Sequence, residues 1–189
     1  MRRFQIGMIV LSAVVLGAPR GLAEDSVAEK PTAEIKIFGT ATMEVPAAFK
    51  RAAPPNRLVE HEFQAQAGKG GDAKTARVYM MASGGGVKAN IDRWKDQFSG
   101  GDADDQKTEE MKIGNWKVHL VDVAGTYEDS MGGGPFSGGR KVLRDDYAMV
   151  GAILVGADQR MYFVKMIGPA EVVTKNRQTF VKMIKSIEK

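Results

Sequence analysis

A glycine-rich segment and the basic residues after it come nearest to a known chemical pattern in this chain. Residues 134–141 nearly match the phosphate-binding loop of nucleotide-binding proteins. However, Arg140 stands at the lysine position, and Lys141 stands where a hydroxyl residue would hold magnesium. Pro135 also removes one backbone N–H that such a loop would use. The pattern therefore predicts a long connecting loop over residues 130–139 rather than a nucleotide site.

The same loop is the best candidate for a binding surface. Loops carry binding residues more often than the elements they connect, and aromatic and arginine side chains are enriched among the residues that anchor protein interfaces. Phe136 is expected to be an exposed anchor, with a charged rim around it. The predicted partner-binding residues are Phe136, Arg140, Lys141 and Arg144.

The two histidines of the chain leave one enzymatic alternative open. His61-Glu62 begins a zinc-protease pattern, but Ala65 stands where the second histidine must be. No Gly-x-Ser-x-Gly motif of a serine hydrolase occurs. A hydrolase that uses His61 or His119 with a nearby acid stays as the alternative, and no catalytic residue is assigned.

Two further patterns could indicate metals, and both have a simpler interpretation. The acidic stretch 102–110 is predicted to be a solvated loop. It offers several carboxylates for calcium, but Gln106, Lys107 and Ile113 occupy positions that an EF-hand loop gives to other residue types. The methionines could bind copper through their thioethers, yet most fall at predicted core positions. We therefore predict no metal and no cofactor.

The N-terminus has the features of a secretory signal. Arg2 and Arg3 precede the apolar stretch 6–18, and the small-residue pattern that follows predicts cleavage after Ala23. The formal charge would then fall from +4 to +1, because residues 1–23 hold three arginines and no acid. The basic pI therefore gives little reason to expect nucleic acid binding. We expect a periplasmic or extracellular protein without a membrane span.

The absence of cysteine excludes several classes of site. The chain has no disulfide, no thiolate nucleophile and no cysteine-ligated zinc. The expected domain organisation is a signal peptide over 1–23, a flexible tether over 24–34 and a single domain over 35–189.

Hydrophobic spacing predicts an α/β fold of the α+β type. Alternating and continuous apolar runs indicate a twisted, mainly antiparallel sheet of about six or seven strands. Two helices, over 87–98 and 170–187, are expected to pack on it. The second helix should have Pro169 at its first position and an apolar face that includes Val173, Phe180 and Ile184.

The order of these elements resembles the PsbP-like fold. The resemblance depends on Pro46 and Phe49 at the end of an early strand, on a glycine-preceded helix containing Arg93-Trp94, and on the strand end Tyr162 to Pro169. It is strongest to secreted bacterial proteins of that fold. The characterised proteins of this fold are accessory proteins, so the resemblance implies a binding or accessory module. They include an extrinsic photosystem II protein and a factor that binds the GTPase Ran, but no photosystem-docking or GTPase-binding residue maps onto this chain. We thus expect a non-catalytic binding protein of the bacterial cell envelope that engages a protein or a small ligand.

Overall fold

The computed structural model describes residues 33–102, 105–131 and 140–187. The predicted signal peptide and all but the last two residues of the predicted tether lie outside these ranges. The first strand begins at Ala33, two residues before the start of the predicted domain. None of the helices in the described part of the chain is long and apolar enough to cross a membrane.

The described chain forms ten strands and two α-helices, and every strand pairing is antiparallel. Strands β1 and β2 form a separate hairpin. The main sheet has the order β3-β4-β5-β10-β9-β8, and both β6 and β7 pair with the outer edge of β8. The elements are β1 Ala33–Ile37, β2 Ala41–Val45, β3 Lys50–Ala52, β4 His61–Ala67, β5 Lys74–Ser83, α1 Val87–Lys95, β6 Phe98–Ser99, β7 Gln106–Ile113, β8 Trp116–Met131, β9 Arg140–Val155, β10 Met161–Pro169 and α2 Ala170–Lys185.

The prediction of an antiparallel sheet with two helices is confirmed. Two of the eight strands in the main sheet are too short to leave an alternating pattern, since β3 has three residues and β6 has two. A hairpin turn at Gly114-Asn115 joins β7 to β8, with Ile113 opposite Trp116. Gly114 has a positive φ of 54°, which glycine adopts without strain.

Helix α2 and the β1–β2 hairpin cover one face of the sheet. The buried side of α2 includes Val173, Phe180 and Ile184, as the spacing predicts. Asn176 ties the helix to the sheet, because its side-chain Nδ2 donates to the carbonyl oxygen of Gln66 at 3.1 Å. Pro169 is the N-cap of α2 rather than its first helical residue, since β10 continues to this position.

Helix α1 covers part of the opposite face, so the central strands are buried on both sides. Trp94 of α1 packs over β9 at Gly151, where a Cβ atom would lie 2.7 Å from the Trp94 ring. The helix ends at Lys95 rather than at Phe98 as predicted, because Phe98 pairs with Tyr127 as part of β6. Trp94 also meets Phe163 of β10 edge to face, with ring centroids 5.0 Å apart.

The acidic stretch is the main element that the sequence predicts wrongly. Strand β7 begins at Gln106, so Glu109 and Glu110 lie on an edge strand and not in a loop. The side chains of β7 are mostly exposed on both faces, which removes the alternation of apolar and polar residues that identifies a strand.

Candidate functional site

The predicted binding loop is flanked by the two strands of a long hairpin. Strand β8 runs to Met131 and β9 starts at Arg140, so residues 130 and 131 of the predicted loop belong to β8, and residues 132–139 lie outside the described residues. We use the term hairpin arm for residues 128–131 and 140–144, in which β8 and β9 pair with each other. At its base, the backbone N–H of Glu128 also donates to the carbonyl oxygen of Gln97 at 2.8 Å. The arm starts beyond a register shift between Gly125 and Tyr127.

The four predicted partner-binding residues have different positions relative to this arm. Phe136 lies outside the described residues. Arg140 is the first residue of β9, opposite Met131. Lys141 and Arg144 form cross-strand ion pairs, with Glu128 at 2.8 Å and Asp129 at 2.8 Å respectively. Leu143 lies between these two basic residues and is 66% exposed.

The two histidines lie far apart in the sheet, on β4 and β8. His119 is buried, and its Nδ1 lies 3.1 Å from a carboxylate oxygen of Glu110. Burial lowers the pKa of His119 despite the carboxylate, and burial also lowers the pKa of His61. No hydroxyl group among the described residues hydrogen bonds to either histidine.

The acidic stretch does not bring its carboxylates together. Glu110 pairs with Lys117 at 2.9 Å, while Glu109 lies 3.7 Å from Arg177. Neighbouring strand residues point to opposite faces, so these two carboxylates diverge. Within the described ranges, no group of three or more histidine, aspartate or glutamate residues is arranged to hold a metal ion.

A cleft that the sequence analysis did not identify lies between α1 and the face of the sheet. Its volume is about 200 Å³. We call it the Lys165 cleft and define it by six of its lining residues: Tyr79, Arg93, Trp94, Gln97, Phe163 and Lys165. Helix α1 and the segment that follows it supply Arg93, Trp94 and Gln97, and β5 and β10 form the floor.

Strand geometry places Lys165 at the centre of this floor. Lys165 lies on β10, opposite Tyr79 on one side and Gly151 on the other. Because Gly151 has no side chain, both the Trp94 ring and the stem of Lys165 fit above it. The Lys165 ammonium lies 4.8 Å from the centroid of the Trp94 ring and 5.8 Å from that of Tyr79.

The Lys165 side chain is buried, and its ammonium faces the cleft without a partner of opposite charge among the described residues. Lys165 is only 4% exposed, and it forms no hydrogen bond or ion pair with any residue that the structure describes. Burial and the nearby charges of Arg93 and Arg77 lower its pKa to about 7. Glu62, which lies opposite Tyr79 on β4, is already bound in a bidentate ion pair by Arg77, at 2.9 and 3.0 Å.

The other polar groups of the cleft are also incompletely paired. Arg93 is exposed and donates a hydrogen bond to Asn90, but it has no acidic partner among the described residues. The side-chain oxygen of Gln97 is buried and accepts no hydrogen bond. Burial raises the pKa of the Tyr79 hydroxyl to about 12, so Tyr79 stays neutral. The cleft therefore combines free donors, a free acceptor and aromatic walls.

The sequence contains one signal that could have indicated this site. Lys165 is the only charged residue in the strand segment 161–167, which is otherwise apolar or aromatic. A strand buried on both faces has no solvated side for a lysine, so such a residue is a candidate for function. The contribution of α1 could not be recognised, because the packing of Trp94 on Gly151 joins residues far apart in the chain.

The comparisons with known proteins give no family assignment. No protein-family model matches the chain, and no curated protein is significantly similar to it. The hairpin arm and the Lys165 cleft are therefore the features of the structure from which a function can be inferred.

Proposed function

We propose that this chain is an exported, non-catalytic binding or accessory protein of the bacterial cell envelope, with a PsbP-like fold, and that it holds a small ligand in the Lys165 cleft. One observation carries the proposal, namely the buried Lys165 ammonium without a partner of opposite charge. Burying an unpaired charge opposes folding by several kcal/mol. Groups with strongly shifted pKa values in clefts are concentrated at functional sites.

The hydrolase alternative has less support from the geometry. Such an enzyme needs a histidine within hydrogen-bonding reach of both a carboxylate and a hydroxyl group. His119 has the carboxylate of Glu110, but no described hydroxyl completes the arrangement. In the Lys165 cleft, no described histidine or carboxylate is placed to take a proton from Ser83, although Ser83 lines the cleft.

A second surface favours a protein partner. The hairpin arm extends beyond the strands that flank it, and it presents the exposed side chain of Leu143 on the same face as the ion pair between Lys141 and Glu128. An apolar residue beside charged side chains is a common arrangement at protein interfaces. We therefore keep the predicted binding role of Phe136, Arg140, Lys141 and Arg144 as part of the proposal.

Capture of a small molecule from the host tests the main proposal. The mature protein is incubated with an envelope extract and isolated, and the molecules released on denaturation are identified by mass spectrometry. Lys165→Met is the test variant, and Lys175→Met is the matched control because Lys175 is exposed on α2, on the other face of the sheet. We expect a compound that is enriched on the wild type and the control but lost from Lys165→Met. Equal recovery from all three proteins would contradict the proposal.

A further inference from the structure

We propose that the ligand of the Lys165 cleft is a small organic acid, bound through its carboxylate by Lys165 and Arg93 with its apolar body against the aromatic walls. This inference rests on the proposed function and specifies the class of ligand. It follows from the charge, the shape and the free polar groups of the cleft.

The charge of the cleft selects an anion. Lys165 and Arg93 both line it, and none of the described residues that line it is acidic. Both cations are without an acidic partner, whereas the nearby Arg77 is neutralised by Glu62. A carboxylate would supply the charged acceptor that the Lys165 ammonium lacks, and hydrogen bonds between charged groups are about twice as strong as neutral ones.

The walls of the cleft select an anion with an apolar body. Phe163 and Trp94 are both buried, and Met81 and Tyr79 complete the wall beside them. An inorganic phosphate would leave this aromatic and thioether surface uncovered and would find only two cations. The volume of about 200 Å³ lies below the roughly 300–1,000 Å³ of sites for drug-sized molecules. The ligand should therefore be about the size of a single substituted ring or a short chain.

A third group should orient the ligand. The side-chain oxygen of Gln97 is a buried acceptor without a donor, and Gln97 lines the same cleft as Lys165. A hydroxyl or N–H group on the organic acid would satisfy it. Buried polar groups that are unpaired in the free protein favour a ligand that pairs with each of them. The ligand should therefore carry a carboxylate and also a hydroxyl or N–H group.

Benzoate, benzamide and inorganic phosphate are suitable probes. Benzoate and benzamide match in shape but differ in charge, and phosphate carries charge without an apolar body. Binding is measured by isothermal titration calorimetry at pH 6.5 on the wild type, Lys165→Met and the Lys175→Met control. We expect benzoate to bind at least about tenfold more tightly than benzamide. The Lys165→Met variant should weaken benzoate binding by about ten- to hundredfold, because it removes a hydrogen bond between charged groups.

The outcomes separate this inference from the proposed function. Equal affinity for benzoate and benzamide, or phosphate binding without benzoate binding, would overturn the organic-acid class but leave a binding cleft. Unchanged benzoate binding by Lys165→Met would also overturn the inference. Absence of binding by all three probes would overturn the inference as well. The capture experiment would still decide the proposed function. If Lys165→Met does not fold, the comparison of benzoate with benzamide on the wild type remains decisive.

Discussion

Replacing Lys165 with methionine should make the folded protein more stable. Methionine keeps an unbranched side chain of similar length but removes the ammonium group that is buried without a counter-charge. The substitution leaves the aromatic contacts of the stem available, and methionine packs well against rings such as those of Trp94 and Tyr79. A binding site commonly reduces stability in this way, because its groups are arranged for the ligand.

The size of the effect follows from the pKa of Lys165, which burial lowers from 10.5 to about 7. At about 1.4 kcal/mol per pKa unit, this shift opposes folding by about 4 kcal/mol at pH 7. The attraction between the ammonium and the two aromatic rings offsets about 1–2 kcal/mol of this cost. Lys165→Met should therefore increase the free energy of unfolding by about 2–3 kcal/mol at pH 7.

The effect should also depend on pH with a defined sign. Between pH 7 and pH 10.5 the unfolded chain binds more protons at Lys165 than the folded protein, so the wild type gains stability as the pH rises. The variant has no such group. The difference between the two proteins should thus be largest at pH 7 and below, and should decrease as the pH rises towards 10.5.

Urea denaturation at pH 6.5, 7.5 and 9 measures this difference. Lys175→Met, which removes an exposed lysine, should change the free energy of unfolding by less than about 0.5 kcal/mol at each pH. A Lys165→Met protein that is less stable than the wild type at pH 7 would refute the reasoning. A stability difference that stays constant from pH 6.5 to pH 9 would also refute it.

Three further predictions test the cleft and the hairpin arm. Gly151→Ala should destabilise the fold by about 1–3 kcal/mol in urea denaturation, because the new Cβ would lie 2.7 Å from the Trp94 ring; Gly84→Ala, with no atom within 4 Å of its Cβ, is the control and should have little effect. Benzoate affinity measured by calorimetry should be constant below about pH 6 and fall from about pH 6 to pH 9 as Lys165 loses its proton, since burial raises the pKa of Tyr79 and the ion pair with Glu62 raises the pKa of Arg77; an affinity that rises over this range would contradict the role of Lys165. Deletion of residues 132–139 should leave the melting temperature nearly unchanged but abolish capture of a partner protein from the envelope fraction, and retained capture would exclude the arm as the binding surface.

The sequence predicts those helices and strands that have one buried face and one exposed face. Strand β4 alternates apolar and polar residues because one face packs on the core and the other faces solvent. Helix α2 repeats its apolar residues at helical spacing for the same reason. Strand β7 was missed because its side chains are mostly exposed on both faces. Local patterns cannot identify an element that has no buried side.

The Lys165 cleft could not be predicted in full because its properties arise from tertiary packing. A lysine is unusual in the otherwise apolar segment 161–167, but the sequence does not show which groups surround it. Trp94 reaches Lys165 only because Gly151 leaves room for the ring. The lack of an acidic partner depends on Glu62 pairing with Arg77 instead. These relations join five elements, β4, β5, α1, β9 and β10, and so depend on how the whole sheet and α1 pack together.

Nuclear magnetic resonance offers the most direct test that the Lys165 cleft is a binding site. The chain has two tryptophans, so the nitrogen-labelled mature protein should give two indole signals. Trp94 lines the cleft, whereas Trp116 belongs to the core on the other face of the sheet. Adding the small-molecule fraction of a host envelope extract should shift the Trp94 signal and leave that of Trp116 in place. A Trp94 signal that does not move would contradict the account.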